Sequence, residues 1–231
     1  MNAEKVTNHI VQWLKDYATK AHVKGFVVGI SGGIDSAVTS TLCAKTGLET
    51  LCVEMPIHQA QNQVSRGKEH IAQLKNNYSN VSTITADLTT TFDTFKNTVP
   101  KTDDKAKVDL ALANTRARLR MTTLYYFAGI KGLLVAGTGN KVEDFGVGFY
   151  TKYGDGGVDI SPIADLLKSE VYTLAKHLGV TTSIQNAAPT DGLFGDSRTD
   201  EDQLGASYDE LEWAMEQYDS GKNANSFSGR D

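Results

Sequence analysis

A run of apolar residues that leads straight into a glycine-rich turn is the feature that most limits how this chain can fold. Residues 26–30 read FVVGI, residues 31–36 read SGGIDS, and a helical pattern follows. Because Gly32 and Gly33 carry no side chains, their N–H groups can approach an anion closely, and the next helix N-terminus adds about half a positive charge. The segment therefore predicts a strand, a tight turn and a helix that together bind a phosphate or pyrophosphate.

Short apolar runs alternate with helical patterns along the chain. Further strands are predicted at residues 50–55, 82–86 and 133–137, and helices at residues 36–45, 61–75, 104–129, 165–178 and 200–218. Another helix opens the chain with apolar side chains at Val6, Ile10, Trp13, Leu14 and Tyr17. This order favours βαβ units with right-handed crossovers. The predicted class is α/β, with a doubly wound, mostly parallel sheet and helices on both faces.

Glycines and apolar stripes refine this prediction. Gly47, Gly129 and Gly179 stand at or near expected helix ends. Residues 138–163 lack helical periodicity and predict an extended loop, and long loops usually serve a site. The last helix carries an apolar stripe suited to packing, formed by Leu204, Tyr208, Leu211, Met215 and Tyr218.

Charge and cysteine content exclude several classes of function. The chain carries 23 basic and 28 acidic residues, a net charge of -5, so a nucleic-acid partner is not expected. Cys43 and Cys52 have neither CxxC spacing nor companion ligands, and we expect two buried thiols rather than a disulfide or a zinc site. The longest apolar runs are far too short to cross a membrane. We expect a cytoplasmic protein.

The turn matches neither of the two common nucleotide-binding motifs. It lacks the lysine of G-x-x-x-x-G-K-[ST], and no G-x-G-x-x-G follows any predicted strand. Asp35 is unusual beside a phosphate because a bare carboxylate would repel it. A Mg²⁺ ion between the two groups removes the conflict, since Mg²⁺ favours one or two carboxylates together with phosphate oxygens.

Residues 29–33 also satisfy G-x-S-x-G, the nucleophile elbow of α/β-hydrolases. A serine hydrolase would use Ser31 as nucleophile, Asp159 or Asp165 as the acid and His177 as the base. Against this hypothesis, the elbow would follow the first strand, and His177 lies inside a helical pattern where a surface histidine is ordinary. The hydrolase is therefore the weaker alternative.

The SGGIDS turn is similar to the PP-loop of the N-type ATP pyrophosphatases, which cleave ATP to AMP and pyrophosphate. With NTRARLRM (114–121), GTGNKVED (137–144), residues 149–171, APTDGL (188–193) and LGASYDELE, the chain resembles the ammonia-dependent NAD synthetases from about residue 5 to 222. The resemblance implies a Rossmann-like, adenine nucleotide alpha-hydrolase-like fold. It also implies a ligase that adenylates the nicotinate carboxylate of deamido-NAD and then admits ammonia, in a homodimer.

The resemblance assigns most site residues. It implies catalytic roles for Asp35 and Lys168, and Mg²⁺ binding by Asp35 and Glu143. The implied ATP-binding residues are Gly29, Ser31, Gly32, Gly33, Asp35, Ser36, Thr138, Lys168 and Thr190. Without it, Lys168 reads as a solvated helix lysine. With the resemblance, Lys168 is the residue expected to stabilise the charge that develops on the phosphates as pyrophosphate leaves.

For deamido-NAD the resemblance implies Arg118, Lys152 and Asp159. Arginine and lysine suit a pyrophosphate or carboxylate, and Asp159 suits a hydroxyl or a cation. One extra residue between Glu143 and Tyr153, relative to some family members, weakens the alignment at Lys152. The family's His-Lys pair near the C-terminus, which closes over deamido-NAD, has no counterpart in residues 1–231. If the chain is truly truncated there, weaker deamido-NAD binding is expected.

The nitrogen source follows from the extent of the resemblance. It accounts for nearly all of residues 1–231 as one synthetase domain, so a glutaminase domain is not expected and ammonia is the expected substrate. The remaining alternatives are another PP-loop ATP pyrophosphatase, such as an amidating GMP synthetase or a tRNA-modifying enzyme, the Ser31 hydrolase, and a non-catalytic nucleotide sensor.

Overall fold

A parallel sheet organises the molecule. The computed structural model describes residues 1–100, 102–190, 192–193, 199–222 and 226–227. The strands are β1 (Gly25–Gly29), β2 (Glu49–Glu54), β3 (Val81–Thr85) and β4 (Leu133–Val135), in the order β3-β2-β1-β4. Every neighbouring pair is parallel, with Phe26 opposite both Thr50 and Leu134. The predicted α/β class and all four strand positions are confirmed, although β4 ends two residues early.

Helices connect and follow the strands. They are α1 (Ala3–Lys20), α2 (Ile34–Lys45), α3 (Gln61–Asn77), α4 (Thr89–Thr98), α5 (Lys105–Lys131), α6 (Lys168–His177), α7 (Thr182–Gln185), α8 (Asp200–Leu204) and α9 (Tyr208–Asp219). The sequence did not predict α4 or α7. Across the described ranges, none of these helices is both long enough and apolar enough to cross a membrane.

The side chains of β1 divide between two apolar layers. Phe26 and Val28 pack in a core that also holds buried residues of α1, α2 and α6. Val27 points to the opposite layer, with Val135 of β4 and Ala128 of α5. A parallel strand covered on both faces reads as a continuous apolar run, as the 26–30 segment does. The doubly wound arrangement is thereby confirmed.

The two cysteines lie inside these layers. Cys43 of α2 and Cys52 of β2 are buried free thiols, as predicted. Burial raises the pKa of both, and that of Cys52 reaches about 12. At neutral pH each therefore stays a neutral thiol that serves packing.

Some helix ends differ from the prediction. Gly129 lies inside α5, which ends at Gly132, where φ of +70° caps the helix. The prediction at Gly129 is wrong because a glycine stops a helix only where the backbone enters the left-handed region. Gly47 and Gly179 do have φ values of +77° and +68° and follow α2 and α6 closely.

The predicted helix at residues 200–218 is two helices. Gly205 has φ of +74° and ends α8, and the Ser207 hydroxyl accepts a hydrogen bond from the Glu210 N–H to begin α9. The predicted packing stripe is correspondingly incomplete: Tyr208 is buried, whereas Tyr218 is 80% exposed.

The apolar face of α1 is also narrower than predicted. Its buried residues are Thr7, Ile10, Leu14 and Ala18, at helical spacing. Trp13 and Tyr17 lie at the edge of this stripe, 37% and 41% exposed, with their rings 5.6 Å apart.

The region predicted as an extended loop contains a short ordered helix. Residues Lys141–Val147 form a π-helical segment, and the Asn140 side chain accepts hydrogen bonds from the N–H groups of Val142 and Glu143 at its start. Ala136 forms a parallel bridge with Ile160, which ties the far end of the region to β4. The segment thus holds Glu143 at the carboxyl end of the sheet.

Candidate active site

The turn after β1 is held by its own serine hydroxyls. Ser36 Oγ donates to the Gly33 carbonyl at 3.0 Å and accepts from the Ser31 N–H at 3.3 Å, while Ser31 Oγ accepts from the Gly33 N–H at 3.1 Å. Gly32 has φ of +80°, and a Cβ there would lie 2.3 Å from the backbone oxygen of Gln63. Glycine is therefore required both by the backbone conformation and by the close approach of α3.

Two cavities open at the carboxyl ends of the strands. The larger, of about 530 Å³, lies over β1 and β2, and its lining includes Gly29, Met55, Pro56, Arg120 and Leu124. The smaller, of about 150 Å³, lies against the turn and α6. Four residues line both cavities and make them continuous: Ser31, Gln59, Gln63 and Thr138. The arrangement is an apolar chamber joined to a polar one.

A buried lysine joins two carboxylates in the smaller cavity. Lys168, the first residue of α6, is only 2% exposed. Its Nζ donates to Asp35 Oδ2 at 2.7 Å and to Glu143 Oε1 at 2.9 Å. Asp35 follows β1 and Glu143 follows β4, so adjacent parallel strands deliver the two acids to one edge of the sheet. The reading of Lys168 as a solvated helix lysine is wrong.

Two residues that the sequence analysis did not select complete this cluster. Asn140 Nδ2 donates to Asp35 Oδ1 at 3.1 Å, and its Oδ1 caps the π-helical segment that carries Glu143. The Tyr208 hydroxyl donates to Glu143 Oε1 at 2.6 Å, and its ring centroid lies 4.8 Å from Lys168 Nζ. Both residues lie in segments on which the family resemblance rests, GTGNKVED and LGASYDELE. That resemblance is the sequence signal that could have identified them.

Burial and charge act in opposite directions on this cluster. Burial raises the pKa of Asp35, and the Lys168 ammonium opposes that rise. Burial acts likewise on Glu143, but Lys168 and the Tyr208 hydroxyl outweigh it and lower its pKa. Although burial works against the charged form of Lys168, its two carboxylate partners raise its pKa above the ordinary value. Lys168 is therefore an ammonium ion at neutral pH.

Three further carboxylates lie close to the cluster. Asp144, Asp155 and Asp200 line the same smaller cavity. Burial, followed by the neighbouring Glu143, raises the pKa of Asp144 to about 6. An anionic ligand entering here needs additional positive charge.

Comparison with known proteins identifies the family of this chain. The family model for NAD synthase matches residues 6–229. The chain belongs to the NAD synthase family.

Individual relatives match most of the chain. The NH(3)-dependent NAD(+) synthetase of Mesoplasma florum is 41% identical over 213 residues, which are 92% of this chain and 84% of that protein. The solved structure of NMN synthetase from Francisella tularensis has a TM-score of 0.84 and 32% identity, covering 97% of this chain and 88% of that one. The NH3-dependent NAD synthetase from Campylobacter jejuni has a TM-score of 0.74 and 28% identity, covering 97% and 90%.

With the NAD synthase family established, the predicted ATP residues can be located. Gly29 lines the larger cavity, Ser31 and Thr138 line both, and five line the smaller: Gly33, Asp35, Ser36, Lys168 and Thr190. Gly32 belongs to the same turn, against α3, and lines neither cavity. The structure thus brings eight of the nine to the lining of one continuous site.

The donor set around Lys168 also fits a divalent cation. Asp35 Oδ2 and Glu143 Oε1 both lie within 3 Å of one positively charged atom, so they converge on a single point. No set of three or more His, Cys, Asp or Glu side chains in the described residues is placed to hold a metal by itself. Two carboxylates with ligands from a phosphate and water are the typical Mg²⁺ environment.

The residues predicted to contact deamido-NAD lie elsewhere. Arg118 and Lys152 are exposed, and Arg118 Nε donates to the Lys152 carbonyl at 3.2 Å. The Asp159 carboxylate accepts from the Val135 N–H at 2.8 Å and from the Tyr125 hydroxyl at 3.0 Å. None of the three lines either cavity. Arg118 belongs to α5, Lys152 contacts it, and Asp159 contacts Tyr125 of the same helix. Their role toward deamido-NAD stays a prediction.

Ser31 does not have the surroundings of a hydrolase nucleophile. Its hydroxyl lies 3.1 Å from Ser36 Oγ and accepts from the Gly33 N–H. His177 is exposed at the end of α6, and no histidine among the described residues hydrogen-bonds to Ser31. The hydroxyl stabilises the turn, as a phosphate-binding role requires.

Proposed function

We propose that this chain amidates the nicotinate carboxylate of deamido-NAD with ammonia, converting ATP to AMP and pyrophosphate. The observation that carries the proposal is the Lys168 cluster, which joins Asp35 and Glu143 beside a glycine-rich turn inside a continuous two-chamber cavity. Membership of the NAD synthase family supports the same reaction.

The two chambers suit the two ends of ATP. The larger cavity has the size of a nucleotide-binding pocket and an apolar side formed by Met55, Pro56 and Leu124, which would accept the adenine ring. The phosphates would then lie in the smaller cavity against the Ser31–Ser36 turn and the N-terminus of α2. Backbone N–H groups and the helix dipole favour the phosphates there.

The buried cluster would neutralise the reacting phosphates. A Mg²⁺ ion held by Asp35 and Glu143 would withdraw electron density from the phosphate oxygens and make pyrophosphate a better leaving group. Lys168 holds the two carboxylates together and presents its ammonium to the same cavity. Tyr208 and Asn140 keep both acids oriented. Catalysis is then positioning and charge stabilisation, with no enzyme nucleophile.

Deamido-NAD would approach from the side of α5. Arg118 and Lys152 provide positive charge for its pyrophosphate and carboxylate.

We further propose that the chain acts in the cytoplasm as a homodimer. Large exposed apolar side chains on α5 and in the 145–153 region support the dimer: Leu110, Tyr126, Ile130, Phe145, Tyr150 and Tyr153. Light scattering after gel filtration tests the dimer, and a monomer at micromolar concentration would contradict it.

Product analysis tests the reaction. The protein is incubated with ATP, Mg²⁺ and ammonium chloride, with deamido-NAD, nicotinate mononucleotide or xanthosine monophosphate as acceptor, and with glutamine replacing ammonium in a parallel series. We expect NAD, AMP and pyrophosphate together only with deamido-NAD and ammonium. Amidation of nicotinate mononucleotide is the second candidate, favoured by the structural similarity to the Francisella tularensis NMN synthetase. The absence of AMP with every acceptor would refute both.

A pair of variants tests the cluster. Asp35→Asn should lower turnover on the order of 100-fold or more, because it removes a charged ligand from the reacting phosphates. Asp165→Asn is the matched control, since Asp165 is exposed, stands three residues before α6 and lines neither cavity. Equal loss in both variants, or full activity in Asp35→Asn, would contradict the assignment.

A further inference from the structure

Arg66 of α3 reaches the glycine-rich turn at residues 31–36. Its Nε donates to the Gly32 carbonyl at 3.1 Å, across 34 positions of sequence. The side chain is half-buried and lines the smaller cavity together with Gly33, Ser36 and Lys168. It does not line the larger cavity, although α3 contributes five residues there. Arg66 is therefore placed at the phosphate end of the site.

The charged residues around Arg66 in the smaller cavity indicate what its guanidinium can bind. Among the described residues that line it, five are acidic and two, Arg66 and Lys168, are basic. The acidic residues are Asp35, Glu143, Asp144, Asp155 and Asp200. Lys168 is already shared between two of the carboxylates. In contrast, no carboxylate of the described residues forms an ion pair with Arg66, whose guanidinium has further N–H donors beyond the one on Gly32.

We infer that Arg66 binds the phosphate groups of ATP that leave as pyrophosphate. The inference rests on the proposed function of the site. A guanidinium can donate two parallel hydrogen bonds to a phosphate, and the Gly32 contact fixes its orientation against the turn. Arg66 then neutralises the charge that builds on pyrophosphate as the bond to the α-phosphorus breaks, while Lys168 remains at Asp35 and Glu143.

Binding to the intact chain separates this role from a structural one. Isothermal titration measures the affinity of wild type, Arg66→Gln, Arg66→Lys and Lys75→Gln for inorganic pyrophosphate with Mg²⁺, and separately for AMP. Lys75 is exposed in the last turn of the same helix and is the matched control. Arg66→Gln should weaken pyrophosphate binding about 10- to 100-fold, the effect of removing a charged hydrogen-bonding group. AMP affinity should change less than about twofold, and Arg66→Lys should recover part of the loss.

Steady-state kinetics gives a second readout. Arg66→Gln should raise the inhibition constant of pyrophosphate and lower kcat, with little change in KM for deamido-NAD. Unchanged pyrophosphate affinity in Arg66→Gln, or equal loss of pyrophosphate and AMP affinity in both Arg66 variants, would overturn the inference. The second result would mean that Arg66 only supports the turn. Failure of the wild type to bind ATP and pyrophosphate would instead refute the proposed function.

Discussion

His70 makes stability depend on pH through a single buried imidazole. It is fully buried on α3, and its Nε2 lies 2.9 Å from Ser40 Oγ on α2. Because Ser40 Oγ already donates to the Ser36 carbonyl at 2.7 Å, the hydrogen-bond network assigns the proton of the neutral ring to Nε2. Nδ1 has no hydrogen-bond partner in the described residues. A second proton would therefore enter an apolar environment.

Burial lowers the pKa of His70 from 6.5 to about 4. The folded state therefore binds this proton more weakly than the unfolded state does. The contribution of neutral His70 to the free energy of unfolding is fully present above pH 6.5 and is lost as the pH falls toward 4. The loss amounts to about 2 kcal/mol at pH 5 and about 3 kcal/mol at full protonation.

Urea denaturation at about pH 8 and about pH 5 measures this effect. In His70→Gln a neutral amide replaces the imidazole. Between these two pH values the wild type should therefore lose about 2 kcal/mol more unfolding free energy than the variant loses. His177→Gln, at an exposed position, should show no such shift. Parallel pH dependence of wild type and His70→Gln would refute the reasoning.

Two more predictions concern the site. Tyr208→Phe removes the hydroxyl that donates to Glu143 at 2.6 Å; kcat/KM should fall about tenfold or more, whereas Tyr218→Phe, on the exposed end of α9, should retain full activity. Gly32→Ala and Gly47→Ala both place a side chain at φ near +80°, a conformational cost of about 1–2 kcal/mol. Only Gly32→Ala also collides with the backbone of α3, so thermal denaturation should show a larger loss there, together with lost ATP binding. Equal losses in the two glycine variants would contradict the role of close approach.

The sheet could be predicted because its signal is local. Each strand of a doubly wound sheet is buried on both faces, so a run such as residues 26–30 carries its own evidence. The turn is equally local, since Gly32 and Gly33 follow the strand directly. Helix boundaries were harder to predict from the sequence. Gly129 and Gly132 are the same residue type, and only the left-handed φ of Gly132 distinguishes the residue that ends α5.

Beyond the turn and Asp35, the site was predictable only as far as the family resemblance reached. On residue type alone Lys168 is an ordinary helix lysine, and its burial follows from contacts with Asp35 and Glu143, 133 and 25 positions away. Asn140 meets Asp35 across 105 positions for the same reason. These residues, far apart in the sequence, come together because β1 and β4 are neighbours in the sheet. No local sequence pattern encodes that strand order.

Strand order also explains why the buried lysine is stable. A lysine removed from water is costly unless opposite charges meet it at short range. β1 and β4 each deliver one acid to the same edge, and α6 begins with Lys168 at that edge, so the ammonium gains two opposite charges at short range. With both acids ionised, the three groups together carry a net charge of about -1, which favours a further cation beside them. The same convergence gives two carboxylate oxygens aimed at one point. The arrangement that stabilises Lys168 therefore also provides the oxygen ligands that a divalent cation would use.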